Sequence, residues 1–408
     1  MRDVLFVHGN FPGQFMHLAL SLAERGDWRI FAVGGETARV PPTMRLERYD
    51  DGPIRGEGSD AAMQRWSMDH ARGLAVAKAC QRLKADHCEP ALIVGHAGWG
   101  EMLYVRDVFP AAPVLSYLEF YFAFAGADVN FDPASRVAGL EAQARVRSRN
   151  APALFAAVDS DALVSPTLWQ ASRFPDLVRQ RIEVIHEGID TDRAAPSEIV
   201  RVEIEDGRAF KAGDEVITFV ARNLEPYRGF HVFMRALPEI LERRPNAHVL
   251  IVGDSGTSYG PPPSPGRTWK SVLLKEVGRR LDRSRVHFLG RLPYDAFLGV
   301  LQVSRVHVYL TYPFVLSWSL LEAMSCGALV VASRTAPVEE VIKDGENGVL
   351  VDFFDEPGLA TAVVSALAEP EALHPLRQAA RRTVLERYDL RRVCLPRMLS
   401  LVRRLTGD

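Results

Sequence analysis

The 408-residue chain is poor in cysteine. Cys80, Cys88, Cys326 and Cys394 form no CxxC pair and no zinc spacing, which excludes a zinc ribbon and a thioredoxin-like redox centre. They read as reduced thiols. No apolar run approaches the ~18 residues that a membrane span requires. No signal-peptide pattern precedes the first strand, because Met1-Arg-Asp-Val-Leu-Phe-Val enters a core pattern at once. The expectation is a protein that works in the cytoplasm. Charge of one sign is also missing: a formal net charge of −2 gives no electrostatic support for nucleic-acid binding. Finally, the turn after the first strand is Gly9-Asn-Phe-Pro-Gly13 rather than GxGxxG, which argues against a dinucleotide cofactor.

What is present is a repeated alternation of buried-strand and helix patterns. Val4–His8, a helix over 14–25 and Trp28–Val33 make a first βαβ unit. Further strands are expected at 91–94, 114–117, within 157–165 and at 181–185, with helices over 61–84 and 140–149. Residues 36–58 read as loop, with room for one short strand. Periodicity lapses after 185, and the same grammar restarts at Val216–Ala221. Two doubly wound parallel α/β domains follow, at 1–185 and 186–386, enclosing a ligand cleft. A terminal amphipathic helix, 387–408, is expected to return to the first domain. Its arginines could touch an anionic membrane, but solvation is the favoured reading.

The second half is organised around the stretch 306–333. A β-branched strand, Val306–Leu310, is stopped by Pro313, and Ser317 or Ser319 can cap a helix ending at Gly327. Leu329-Val-Val-Ala is the next strand. Such a helix start lies at the carboxyl edge of a parallel sheet, where free N–H groups and the helix dipole collect phosphate. Glu322, placed in about the first turn, can accept hydrogen bonds from sugar hydroxyls.

Several segments together carry a family resemblance. They are Val184-Ile-His-Glu-Gly-Ile-Asp190, Arg222 with Arg228-Gly229, Phe288-Leu-Gly-Arg291, Leu321-Glu-Ala-Met324, and Pro337 through Asp344-Gly-Glu-Asn-Gly348. In this order and spacing the chain resembles the retaining glycosyltransferases of family 4, which have the GT-B fold. The resemblance implies transfer of a sugar from a nucleoside diphosphate sugar, UDP favoured over GDP, to an acceptor hydroxyl on a glycan, lipid or natural product. Two departures stand out. The family's two glutamates lie eight positions apart, and Glu322 matches the second while Phe314 occupies the first. The family's catalytic histidine position matches Glu119, with His96 one strand earlier.

The implied chemistry needs fixed positive charge where the β-phosphate leaves. Arg222 and Arg228 suit it, since guanidinium presents a rigid fork to phosphate oxygens. Ser317, Trp318, Ser319 and Leu320 are expected around the same phosphate, with Gly13 allowing close backbone approach. Asp254 and Arg291 complete the nucleotide side. Glu119 or His96 would orient or deprotonate the acceptor. No metal is expected: Asp159-Ser-Asp161 flanks a core strand and Asp190-Thr-Asp192 lies in the linker. Two other functions fit the same fold, a nucleotide-sugar epimerase and a non-catalytic nucleotide-binding scaffold.

Overall fold

The computed structural model describes residues 1–50 and 60–407. Part of the stretch read as loop, 51–58, lies outside the described residues. The chain divides into two compact units, Met1–Gly188 with Arg391–Asp408, and Ile189–Leu390. The boundaries therefore fall at Gly188/Ile189 and Leu390/Arg391 rather than at 185/186 and 386/387.

The first unit is built on a seven-stranded sheet: β1 (Arg2–Val7), β2 (Trp28–Gly34), β3 (Arg45–Arg48), β4 (Pro90–His96), β5 (Val114–Tyr117), β6 (Ala162–Ser165) and β7 (Ile182–Val184). The order is β3-β2-β1-β4-β5-β6-β7, and every pairing is parallel. The strands read as continuous apolar runs because both faces are covered. Val4, Phe6, Leu92 and Val94 point into one core; Leu5, Val7 and Ile93 point into the other. The direction of winding reverses between β1 and β4, the crevice at which doubly wound sheets receive ligands. The helix Leu395–Thr406 belongs to this unit. Leu401 and Val402 are buried in the core with Val4 and Phe6. Its arginines do not all point to water: Arg397 donates to the Val184 carbonyl at 2.9 Å, and Arg404 pairs with Glu183.

The second unit starts with a hairpin, β8 (Arg201–Glu203) and β9 (Ala209–Lys211), which strand patterning did not reveal. Its main sheet comprises β10 (Val216–Asn223), β11 (His248–Asp254), β12 (Val286–Gly290), β13 (Val306–Tyr309), β14 (Leu329–Ser333) and β15 (Val349–Val351). The order β12-β11-β10-β13-β14-β15 is again all parallel and reverses between β10 and β13. The helix Phe230–Arg243 covers one face with Phe230, Phe233, Leu237 and Ile240 buried. No described helix is long and apolar enough to cross a membrane.

Candidate active site

At the β10/β13 reversal, the chain leaves β13 through Leu310–Leu316 and enters the helix Trp318–Ser325. Ser317 is the cap: its hydroxyl accepts from the Ser319 N–H at 3.4 Å and lies 3.0 Å from the Ser319 hydroxyl. The cap is fixed in turn by Tyr309, whose hydroxyl accepts from the Ser317 N–H at 2.8 Å. Trp318 is 39% exposed, whereas Leu320 is fully buried. Leu320 is therefore a core side chain, and only its backbone stands near the cap; its N–H donates to the Ser317 carbonyl at 3.2 Å.

Glu322 sits beyond the first helical turn, not within it. It is 7% exposed, and its carboxylate accepts from the Tyr294 hydroxyl at 2.9 Å. Burial raises its pKa to about 7, with the Tyr294 bond working in the other direction. Burial likewise pushes the Tyr294 hydroxyl far up.

The two arginines occupy contrasting environments. Arg222 is exposed on β10 and has no hydrogen-bonding or ion-pairing partner among the described residues. Arg228 is buried, and its guanidinium Nη1 donates to the Thr311 hydroxyl and to the Val315 carbonyl, both at 2.9 Å. Its Cζ lies 5.4 Å from the Tyr259 ring centroid and 5.8 Å from that of Phe314. Burial opposes the Arg228 charge, but the Tyr309, Tyr259 and Glu225 side chains hold its pKa above the ordinary value. Arg228 thus ties the loop after β10 to the loop after β13. The two arginines therefore differ in setting: Arg222 faces solvent, and Arg228 is held between the two loops. Gly229 follows with φ 69°, and a Cβ there would meet Leu310 Cβ at 2.2 Å, so only glycine fits under the β13 loop.

Phe314 is part of an aromatic group with Tyr227 and Tyr259, at ring-centroid distances of 5.6 and 4.9 Å. Asp254, at the end of β11, pairs with Arg291 at 3.2 Å, both exposed. These two residues, named separately from sequence, are brought together. A residue that sequence reasoning missed is Glu225. Its fully buried carboxylate accepts from the N–H groups of Ser258, Tyr259 and Gly260 at 3.0, 3.1 and 3.0 Å, which fixes the Pro-rich loop. A glutamate before proline in a loop gave no periodic signal.

In the first unit, His96 ends β4 and Glu119 follows β5, on neighbouring strands. The His96 Nε2 lies 3.6 Å from Glu119 Oε2. Burial opposes the imidazolium, but the carboxylates of Glu119, foremost, and of Glu101 and Glu187 together raise the His96 pKa. Burial also opposes the Glu119 charge, while His96 holds its pKa below the ordinary value. Gln14 bridges the pair to β1: its amide donates to Glu119 Oε1 at 2.9 Å, and its Oε1 lies 2.8 Å from His8 Nε2. The neighbouring pair Tyr117 and Glu187 is also hydrogen-bonded. Gly13 has φ 45°, and a Cβ there would stand 2.5 Å from His8 Nε2. Its glycine is required by the histidine beneath it, a sufficient cause without any ligand. Asp161 is occupied structurally, accepting from the Val114 N–H and Arg106.

Two parallel α/β units, each with a polar constellation at its winding reversal, make a GT-B architecture. Two family models match in succession, "Glycosyl transferase family 4 group" over residues 26–194 and "Glycosyl transferases group 1" over 201–383. The chain belongs to the group 1 glycosyltransferases of family 4. It is 28% identical over 232 residues to D-inositol 3-phosphate glycosyltransferase of Rhodococcus jostii, covering 55% of this chain and 48% of that protein. It is 28% identical over 242 residues to the GDP-mannose-dependent alpha-(1-6)-phosphatidylinositol monomannoside mannosyltransferase of Mycolicibacterium smegmatis, covering 57% and 60%. The chain thus spans about half of the length of the curated relatives it matches. The solved structure of Anabaena HepE in complex with UDP superposes with a TM-score of 0.67 at 15% identity, covering 99% of this chain and 100% of that one. That likeness shows the fold.

Proposed function

We propose that the protein is a retaining glycosyltransferase that moves a sugar from a nucleoside diphosphate sugar to an acceptor hydroxyl. The observation that carries this reading is the β10/β13 reversal, where a capped helix start and Arg222, a cation without a partner among the described residues, lie on adjacent strand ends. Backbone N–H groups and the helix dipole would hold the diphosphate, and Arg222 would offset the charge that develops as it leaves. That arrangement calls for no metal. Glu322, held by Tyr294, is the ribose-side acceptor, with Asp254 and Arg291 farther along the sheet edge. Glu119, oriented by Gln14 and His96, is the group for the acceptor hydroxyl.

UDP is favoured as the nucleotide, in keeping with the UDP bound to the Anabaena fold neighbour, while the mycobacterial relative named for GDP-mannose makes GDP the comparison to run. The first experiment is mass-spectrometric product analysis with UDP-glucose, UDP-N-acetylglucosamine and GDP-mannose against a mixed pool of hydroxyl acceptors. A transferred sugar with retained anomeric configuration is the expected result. Conversion of the donor alone would make the protein an epimerase. Nucleotide binding without turnover under every acceptor would make it a scaffold.

A further inference from the structure

Glu225 stands where the chain leaves β10, and none of its surface is exposed. A buried carboxylate is tolerated where donors saturate its oxygens. The N–H groups of Ser258, Tyr259 and Gly260, on the loop after β11, do this for Glu225. Its backbone carbonyl accepts from the Arg228 N–H at 3.1 Å, so the same residue also fixes the turn that delivers Arg228. Two neighbours hold the loop after β11 from the same strand end. The Asn223 amide donates to the Ser258 hydroxyl, and the Leu224 N–H donates to the Asp254 carbonyl at 2.8 Å. Gly260 lies close against Tyr227, where a Cβ would stand 3.1 Å from Cδ2 of the ring. The loop fixed in this way presents Tyr259. Its ring centroid lies 5.4 Å from Arg228 Cζ and 4.9 Å from the Phe314 ring centroid, so it walls Arg228 in.

From Arg228 the contacts continue to the helix start. Nη1 donates to the Val315 carbonyl at 2.9 Å and lies 3.5 Å from the Tyr309 hydroxyl. That hydroxyl in turn accepts from the N–H of Ser317, the helix cap, at 2.8 Å. Glu225 itself cannot touch a ligand, because it is wholly buried and both its oxygens are bonded. What it supplies is orientation. Hydrogen bonds to a charged acceptor are about twice as strong as neutral ones, so three of them hold a loop firmly. Backbone N–H groups bind phosphate only where they converge on it, and a shift of about 1 Å can cost about 10²-fold in rate. We propose that Glu225 is a positioning residue for sugar transfer. By seating Tyr259 against Arg228, it fixes the loop 310–317 and the first N–H groups of the helix Trp318–Ser325 in the geometry that receives the second phosphate of the nucleotide. The proposal rests on the transferase reading above, in that the helix start receives the diphosphate.

The test is calorimetric titration of the full chain with the pairs UDP and UMP, and GDP and GMP, reading the base that binds more tightly. Within a pair, the ratio of the two affinities reports the second phosphate alone. In the parent, the diphosphate should bind about tenfold or more tightly than the monophosphate. Glu225→Gln keeps the length and one acceptor oxygen, and should cut that ratio by about fivefold or more while monophosphate affinity holds. Tyr259→Leu keeps apolar volume but removes the ring face, and should cut the ratio similarly. This half-buried position guards against a folding defect in Glu225→Gln. Tyr259→Phe, which restores the ring, should recover most of the ratio. The double variant Glu225→Gln/Tyr259→Leu should be little worse than either single one, because both act along one path. An unchanged ratio in the folded variants, or an equal loss of diphosphate and monophosphate binding, would overturn the proposal and leave the transferase reading standing. A parent that binds diphosphate no better than monophosphate would overturn the diphosphate reading and the proposal with it, a result visible before any substitution is made.

Discussion

The Glu322 carboxylate accepts a hydrogen bond from the Tyr294 hydroxyl at 2.9 Å, at a position where burial has brought the carboxyl pKa to about 7. In the unfolded chain the same group titrates near 4.5. Between those two values the folded protein binds the extra proton, so its stability falls as pH rises from about 4.5 to about 7. Glu322→Gln keeps an acceptor for Tyr294 and removes the ionisation. It should flatten the urea-unfolding midpoint across that window, with a gain of about 1–3 kcal/mol at pH 7.5. Parallel pH profiles for parent and variant would rule this out. Tyr294→Phe should shift the titration of Glu322 upward, because the remaining bond to the charged form is gone.

Arg222 and Arg228 should separate cleanly into ligand and scaffold. Arg222→Ala removes an exposed, unpartnered side chain, so stability should move by no more than about 0.5 kcal/mol. UDP affinity should fall by about tenfold or more, as for loss of a charge-assisted hydrogen bond. Arg228→Lys shortens the reach of the nitrogen that donates to both Thr311 and the Val315 carbonyl and loses the planar group packed by Tyr259 and Phe314, and should cost about 1–3 kcal/mol of stability. Thermal unfolding and calorimetric titration of both variants check the pair. If Arg222→Ala binds UDP as the parent does, the phosphate role assigned to it is lost.

Phe314 stands where the family has a carboxylate, and its ring is 4% exposed against Tyr227, Tyr259 and Arg228. With no acceptor there for a donor-sugar hydroxyl, donors lacking that hydroxyl should be used at least as well as ordinary hexoses. A panel of deoxy and parent UDP-sugars, compared by kcat/KM, tests this, and a strong preference for the fully hydroxylated hexose would count against it. Phe314→Glu should destabilise the fold by several kcal/mol unless the new carboxylate pairs with Arg228.

The legible part of this chain was the part written in periodicity. Apolar runs at Val216, Val306 and Leu329 fix three adjacent parallel strands, and Ser317 before Trp318 and Gly327 after Cys326 fix the helix between them. The order of winding, and so the two reversal points, is a consequence of pairing across long sequence separations that no local pattern encodes. That Arg228 folds inward while Arg222 stays in water was not legible, because spacing along a loop does not encode exposure. Glu101, Glu225 and Gln14 gave no sign for the same reason. Each is a lone polar residue whose meaning comes from what packs against it: Tyr49, the N–H groups of 258–260, and the pair His8 and Glu119.

The pair of His96 and Glu119 provides a last prediction, because the two pKa shifts act in opposite pH directions. His96 is raised above its ordinary 6.5, so its contribution to stability is complete below that value and is lost as pH climbs through the folded-state pKa. Glu119 is lowered below 4.5, so its contribution is complete above that value and is lost as pH falls through its folded-state pKa. The attraction therefore contributes fully between about 4.5 and 6.5 and fades on both sides. Glu119→Gln preserves the shape and the contact with Gln14 but removes the charge. The His96 imidazole should then titrate below its value in the parent, since burial would act on it without the compensating carboxylate. Proton NMR of the ring C–H signals reads this directly, and an unchanged titration would mean that the pair is not coupled. If Glu119 also receives the acceptor proton, the same variant should lower kcat by about 10²–10⁴ with the donor KM little altered. A fall in stability with kcat unchanged would reduce Glu119 to a structural partner of His96.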